Sequence, residues 1–242
     1  MNPVVAQLTL RGLLGRRRVF VLAALPVLLL LFSLVLRLTI GPSEDLLESI
    51  IGGLALATML PLLALIAGTG AIGPEIDDGS IMYLMAKPVS RHLIIRSKLL
   101  VATVVVLVFA SFPVFVSGLL LTQTSMALVF GYTLSTALAG IAYCAVFLLL
   151  SVITRNAVII GLIYAIVWET IVGTFVPGAK TLSIMQWSLA FAEKAGGDQA
   201  VRLGVQSEVS PVLGGILLLV VTVLATWYAG VRLRTLRLAG EE

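Results

Sequence analysis

The chain has 242 residues, of which 60% are hydrophobic and 12% charged, with a net charge of +4. A mean hydropathy of +1.13 leaves too little polar surface for a water-soluble domain, so the bilayer must solvate most side chains. The basic excess is no nucleic-acid footprint, because basic and aromatic residues are not interleaved on a surface. A single cysteine, Cys144, permits neither an internal disulfide nor a Cys-based metal site.

Long unbroken apolar runs favour helices over the alternating ten-residue strands of a barrel. The chain opens "MNPVVAQLTLRGLLGRRR", where residues 3–18 predict a short amphipathic helix in the interface. Val4, Val5, Leu8 and Leu13 or Leu14 would face lipid and the arginines headgroups; a disordered basic tail is the alternative. The first apolar run lacks a small-residue cleavage site, so it is read as a retained span.

Six stretches are about long enough to cross a ~30 Å core: roughly residues 19–38, 50–72, 99–121, 131–153, 157–177 and 211–230. Six crossings put both termini on one side. Twelve of the sixteen Lys and Arg residues fall on that side, leaving Arg37, Lys180, Lys194 and Arg202 for the other, which makes the termini cytoplasmic. Gly53, Ala57, Gly161, Ala165 and Gly173 are small enough to allow close helix contacts.

Between the second and third spans, "GPEIDDGSIMYLMAKPVSR" (73–91) interrupts the apolar pattern. Pro74 and Gly79 are expected to turn the chain as it leaves the membrane. Glu75, Asp77 and Asp78 would be solvated, or paired with Arg91 and the N-terminal arginines. Ser80 can cap a short helix whose Ile81, Met82, Leu84 and Met85 make an adaptable apolar surface, ended by Pro88. Arg91, Arg96 and Lys98 would snorkel to the headgroups at the start of the third span. The segment reads as a hydrophobic peg between two spans; a loop lying on its own bilayer is the plain alternative.

Beyond the fifth span, residues 178–210 space Leu182, Met185, Leu189 and Ala192 at helical intervals before Gly196-Gly197. This predicts a helix dipping into the outer leaflet, with an ordinary outer loop as the alternative. The fold class is therefore all-α integral membrane: one domain over 1–242, with six transmembrane helices, an interfacial helix (3–18), a cytoplasmic loop (73–98) that carries the peg and an outer-leaflet segment (178–210).

Chemistry is sparse. No Gly-rich phosphate loop followed by Lys-Ser or Lys-Thr occurs, so nucleotide must act through a partner. The one histidine, His92, has no second ligand near it in sequence. Glu169 is the only acid well inside a span, some 18 Å along the fifth helix. A carboxylate there either faces a cavity and meets a cation or proton, or is a buried partner for Arg37 or for a backbone or hydroxyl donor.

The string Pro74-Glu75, Gly79, Leu84, Lys87-Pro88-Val89-Ser90-Arg91 and Lys98 resembles the "E...G....L...P.SR......K" signature of bacterial ABC-2 type exporter permeases, as does the layout of the whole chain. The resemblance implies a transport subunit rather than an enzyme: half of an exporter in the bacterial inner membrane, paired with a second permease copy, a homodimer. Two separate ATPase subunits would dock on it and hold ATP and Mg, with membrane lipid as the remaining partner. It further implies that residues 80–86 are the coupling helix, with Gly79, Ile81, Met82, Leu84, Met85, Pro88 and Arg91 in the ATPase-coupling region. Glu75 would sit beside the interfacial helix at the subunit contact, and Thr154, Arg155 and Asn156 would make a second contact. Glu169 and its neighbour Trp168 would lie near the substrate route, for a small amphipathic substrate such as a drug, antibiotic or lipid-like molecule. An ion-gradient-driven transporter using Glu169 is the alternative; a membrane enzyme lacks a convincing constellation.

Overall fold

The computed structural model describes residues 3–81, 90–123, 125–172, 178 and 180–235, which contain helices and turns and no strand. Helix α1 (Pro3–Leu13) precedes α2 (Arg16–Thr39). Then follow α3 (Glu44–Asp77), α4 (Arg91–Leu121) and α5 (Met126–Ile153). The helix α6 runs Ala157–Ile163 and continues as Tyr164–Val172. The short α7 (Ile184–Gly196) and α8 (Asp198–Arg202) lead to α9 (Pro211–Thr235). Five of these, α2 to α5 and α9, are long and apolar enough to cross a membrane. The expected fifth span is apolar and helical as far as it is described, to Val172; its remainder, 173–177, lies outside the described residues.

Prolines inside two of the long helices are absorbed by a change of winding. Pro61 has no N–H for the carbonyl four residues back, and its ring crowds the preceding turn. Directly before it, Glu48–Met59 winds as a π-helix that ends with the Leu60 N–H donating to the Ala55 carbonyl, five residues back. Pro113 follows a second π stretch, Leu107–Ser111, closed by the Phe112 N–H on the Leu107 carbonyl. The wider turns let both helices continue unbroken.

The central helix is α5, which packs against α3, α4, α6, α7 and α9. Its Tyr132, Ser135, Thr136, Ala139, Tyr143, Cys144 and Phe147 are fully enclosed. Close approach depends on two glycines beside Phe147. A Cβ on Gly68 of α3 would lie 2.9 Å from the Phe147 Cβ and 3.0 Å from the Cys144 carbonyl oxygen. One on Gly161 of α6 would run into the Leu65 Cδ1. Of the other small residues singled out, Ala165 is buried, Ala57 half-buried and Gly53 open on its Cβ side, while Gly173 is outside the described residues. Gly68→Val is expected to cost about 1–3 kcal/mol through overpacking and to lower the unfolding temperature in detergent. Gly53→Ala, with nothing within 4 Å of the added carbon, should leave it in place; equal behaviour of the two variants would contradict this packing.

At the N-terminus the amphipathic helix forms over Pro3–Leu13, short of the residue 18 expected because 16–18 already belong to α2, and its apolar face is divided differently from the lipid-facing stripe expected. Leu8 is exposed, whereas Val5 and Leu13 are buried against the protein, where α1 packs on α4. Helix and lipid compete for the same apolar stripe, and here the bundle takes half of it. The expected side chain Val4 lies outside those described.

The segment after α6 contains α7, as the periodicity predicts, ended by Gly197 at φ +53°. Leu189 and Ala192 are buried, with Ile184 and Trp187, whereas Leu182 precedes the helix and is exposed. The helix runs antiparallel to the first half of α5: the Ser135 hydroxyl donates to the Ser188 carbonyl at 2.6 Å, and Gly131 leaves room for Ala192.

Candidate functional site: the clasp at the loop stems and the outer carboxylate

Helix α3 breaks at Ala71-Ile72, where the second apolar stretch is expected to end, just before Pro74. Pro74 then sits in the first turn of a short helical piece, Gly73–Asp77, a position where its missing N–H costs nothing. The break presents the Ala71 carbonyl to Lys98, whose ammonium lies inside the bundle with no solvent exposure. Lys98 Nζ donates to the Glu75 Oε1 at 2.6 Å, to the Ala71 carbonyl at 2.7 Å and to the Thr9 Oγ1 at 3.4 Å. Three N–H bonds are what an ammonium has to give. Thr9 completes the set by donating its own hydroxyl to the Val5 carbonyl at 2.9 Å.

Lys98 therefore does not snorkel. Its neighbours outcompete the headgroups: a carboxylate and a carbonyl at a helix end offer a cation more than water does at this depth. Glu75 is paired with this lysine instead of being solvated or joined to Arg91. The pairing draws α1, the end of α3 and the start of α4 together, and so closes both stems of the loop expected to carry the peg.

The rest of that loop is partly described. Gly79 turns at φ +73°, conformational space that favours glycine. Next to it the Ser80 N–H donates to the Asp78 Oδ1 at 2.9 Å, and the Ser80 bonds hold the Asp78 carboxyl below its ordinary range. Ile81 is buried. Met82, Leu84, Met85 and Pro88 lie outside the described residues. Arg91 Nη1 donates to the Leu233 carbonyl at 3.1 Å, tying the second stem to the end of α9. Arg155 is exposed in the link between α5 and α6, where the Thr154 Oγ1 accepts from the Asn156 N–H at 3.2 Å.

The outer carboxylate is equally well held. Glu169 is 3% exposed. Its Oε1 accepts from the Tyr164 hydroxyl at 3.0 Å and the Ile184 N–H at 3.2 Å, and its Oε2 from the Ser183 hydroxyl. Tyr164 and Glu169 are five residues apart on a π-wound stretch, a register that brings such side chains onto nearly one face. Ser183 is the N-cap of α7, accepting from the Gln186 N–H at 3.3 Å. An anion thus meets the unsatisfied N–H groups of a helix start, an electrostatically favourable site. Arg37 is elsewhere, donating to the Leu119 and Leu120 carbonyls at 3.3 and 2.8 Å. Trp168 is half-buried on α6.

Reading from sequence missed Lys98 as a buried residue, although one signal was present: it stands alone in the run "SKLLVATVVV", seven residues into its helix. Ser183, Tyr164 and Thr9 carry no such mark, because hydroxyls are unremarkable in apolar helices. Among the described residues no group of three or more His, Cys, Asp or Glu side chains is placed to hold a metal.

No curated protein matches the sequence significantly. The family of ABC-2 family transporter proteins matches residues 35–213, from the end of α2 through α8 to the start of α9, and so takes in both the Glu75–Lys98 clasp and the Glu169 cage. With most of its length inside that match and five helices able to cross a membrane, the chain belongs to the ABC-2 family of transporter proteins and is a multi-pass membrane permease.

Proposed function

We propose that the chain is the membrane-spanning half of an ATP-driven exporter. Two copies pair, each docks a separate ATPase subunit that holds ATP and Mg, and a small amphipathic substrate moves outward across a bacterial inner membrane. The segment 157–177 completes six crossings, both termini are cytoplasmic, and α7 lies in the outer leaflet. The basic residues concentrated at one end of the helices support this orientation.

The observation that carries the reading is the clasp. A docking peg transmits force only if its two stems move together, and Lys98 joins Glu75 on one stem to its own helix on the other at 2.6 Å, with α1 fastened alongside. Met82, Leu84 and Met85 form the apolar contact with the ATPase and Arg155 a second one; Ile81, expected in that contact, is buried and packs in the core of the bundle instead. Nucleotide binds the two states of the ATPase pair unequally, and that difference tilts the bundles. The substrate route runs beside α3 and α6, with Trp168 near it. An ion-gradient mechanism centred on Glu169 has less support, since both its oxygens are engaged by donors of this chain.

The test first asks whether a neighbouring reading frame encodes a Walker-type ATPase, then co-expresses the chain with that ATPase and measures co-purification and ATP hydrolysis in lipid. Wild type should retain the ATPase. Met82→Asp and Leu84→Asp, which force a charge into an apolar groove, should lose it or lose coupled hydrolysis. Retention and hydrolysis unchanged in both variants would remove the peg from the contact.

A further inference from the structure

At the end of the bundle that carries Arg18 and Arg155, α2, α3, α5 and α6 leave a cavity of about 300 Å³. Its polar wall is formed by Arg18, Ser151 and Arg155, with Asp77 at the rim, and its apolar wall by Val21, Ile66 and Val158. Ser151 is 5% exposed, and its Oγ has no hydrogen-bond partner among the described residues. A helix serine in an apolar setting ordinarily returns its proton to the carbonyl one turn back. Thr69 on the same wall does so, donating to the Leu65 carbonyl at 2.6 Å. The Ser151 hydroxyl does not, and stays unpaired among the described residues at the cavity wall.

Arg18 is similarly underused. Among the described residues its Nη1 has one long contact, 3.5 Å to the Gly70 carbonyl, which leaves most of a five-donor fork unspent there. With Arg155 exposed at the opposite edge and Asp77 also exposed, the lining charge is net positive. Two guanidinium groups and a hydroxyl suit a tetrahedral oxyanion, for which arginine provides paired N–H donors. The cavity opens toward Val21 and Val158, which are 55% and 57% exposed on the outer faces of α2 and α6. An occupant with an anionic head therefore has an apolar surface on which to lay a chain.

We propose that this cavity binds the phosphate of a membrane lipid headgroup, seated on Arg18 and Ser151 with Arg155 at the rim and the acyl chains lying along α2 and α6. The assignment does not rest on ATPase coupling: Arg155 is exposed at the edge, and contact with another subunit there leaves the Arg18 and Ser151 floor in place. Gly73 lines the same cavity, and a Cβ there would meet nothing nearer than the Ser151 Oγ at 3.8 Å, an ordinary contact, so the cavity has room for a larger side chain at 73 to fill it.

The test titrates the full chain in detergent with phosphatidylglycerol, with diacylglycerol of the same chains and with glycerol phosphate, and counts bound molecules by native mass spectrometry. Phosphatidylglycerol should bind at least tenfold more tightly than diacylglycerol. Arg18→Gln and Gly73→Phe should each remove that preference, and Ser151→Ala should weaken it severalfold at an unchanged unfolding temperature. Arg202→Gln, far along the chain on an exposed helix, should leave it intact. Equal binding of the two lipids, or a preference that survives both Arg18→Gln and Ser151→Ala, would overturn the proposal. Displacement of the lipid by glycerol phosphate would overturn the lipid assignment in favour of a soluble phosphate compound.

Discussion

Lys98→Met is expected to be among the most damaging single substitutions in this chain, lowering stability by about 3–5 kcal/mol, the range for breaking one side of a buried ion pair. The ammonium is fully enclosed and its three bonds end on Glu75, Ala71 and Thr9. Without it a partly buried carboxylate, a helix-terminal carbonyl and a hydroxyl all lose their donor at once. Glu75→Leu alone should be similarly harmful, since it strands the lysine. The pair Lys98→Met with Glu75→Leu should recover much of the loss, because two apolar side chains leave no orphaned charge. Thermal unfolding of the four proteins in detergent reads this directly, and a single Lys98→Met variant that melts with the wild type would contradict the clasp. The double variant is the informative one for function. If it folds but no longer couples ATP hydrolysis to transport, the clasp acts as a strut between the loop stems; if coupling is intact, its contribution is to stability alone.

Glu169→Ala should release the start of α7. The substitution strands the Tyr164 and Ser183 hydroxyls and the Ile184 N–H in a buried place, at a cost on the order of 3 kcal/mol. It also removes the anion that the helix start attracts. The expected readouts are a lower unfolding temperature and faster labelling of a cysteine placed at Gln186, which reports loosening of α7 from α6. Glu169→Gln keeps an acceptor oxygen in nearly the same position, and so should retain most of the stability and a transport rate close to wild type. Selective loss of transport of cationic substrates by a stably folded Glu169→Gln protein would instead assign the carboxylate's charge to the substrate. The hydrogen bonds around Glu169 favour the first outcome, because both oxygens are already occupied within the chain.

The two sites differ in how visible they are in sequence. Glu169 stands out because an acid inside an apolar run is costly wherever it points, yet nothing in "IYAIVWETIVGTF" says what satisfies it. Its partners come from the same helix by way of a π turn and from a helix start some fourteen residues on. Lys98 stands out less, since a lysine near a predicted membrane edge has an inexpensive alternative in snorkelling. Only the break of α3 at Ala71-Ile72, which turns a carbonyl and Glu75 toward it, makes burial the better choice.

Composition and apolar run length were enough, by themselves, to establish that this is a helical membrane protein. They also located its long helices to within several residues, the amphipathic start and the helix α7 before Gly197. These features follow from local physics, since each depends on hydrophobicity or on backbone preference along one stretch of chain. Tertiary structure alone decided which face of α1 meets protein instead of lipid, which charges are buried, where two helices widen to pass a proline, and that Ser151 faces a cavity beside Arg18. Each of these is settled by competition between bilayer, water and neighbouring helix for the same group, and the winner depends on distances between residues that the linear order does not contain.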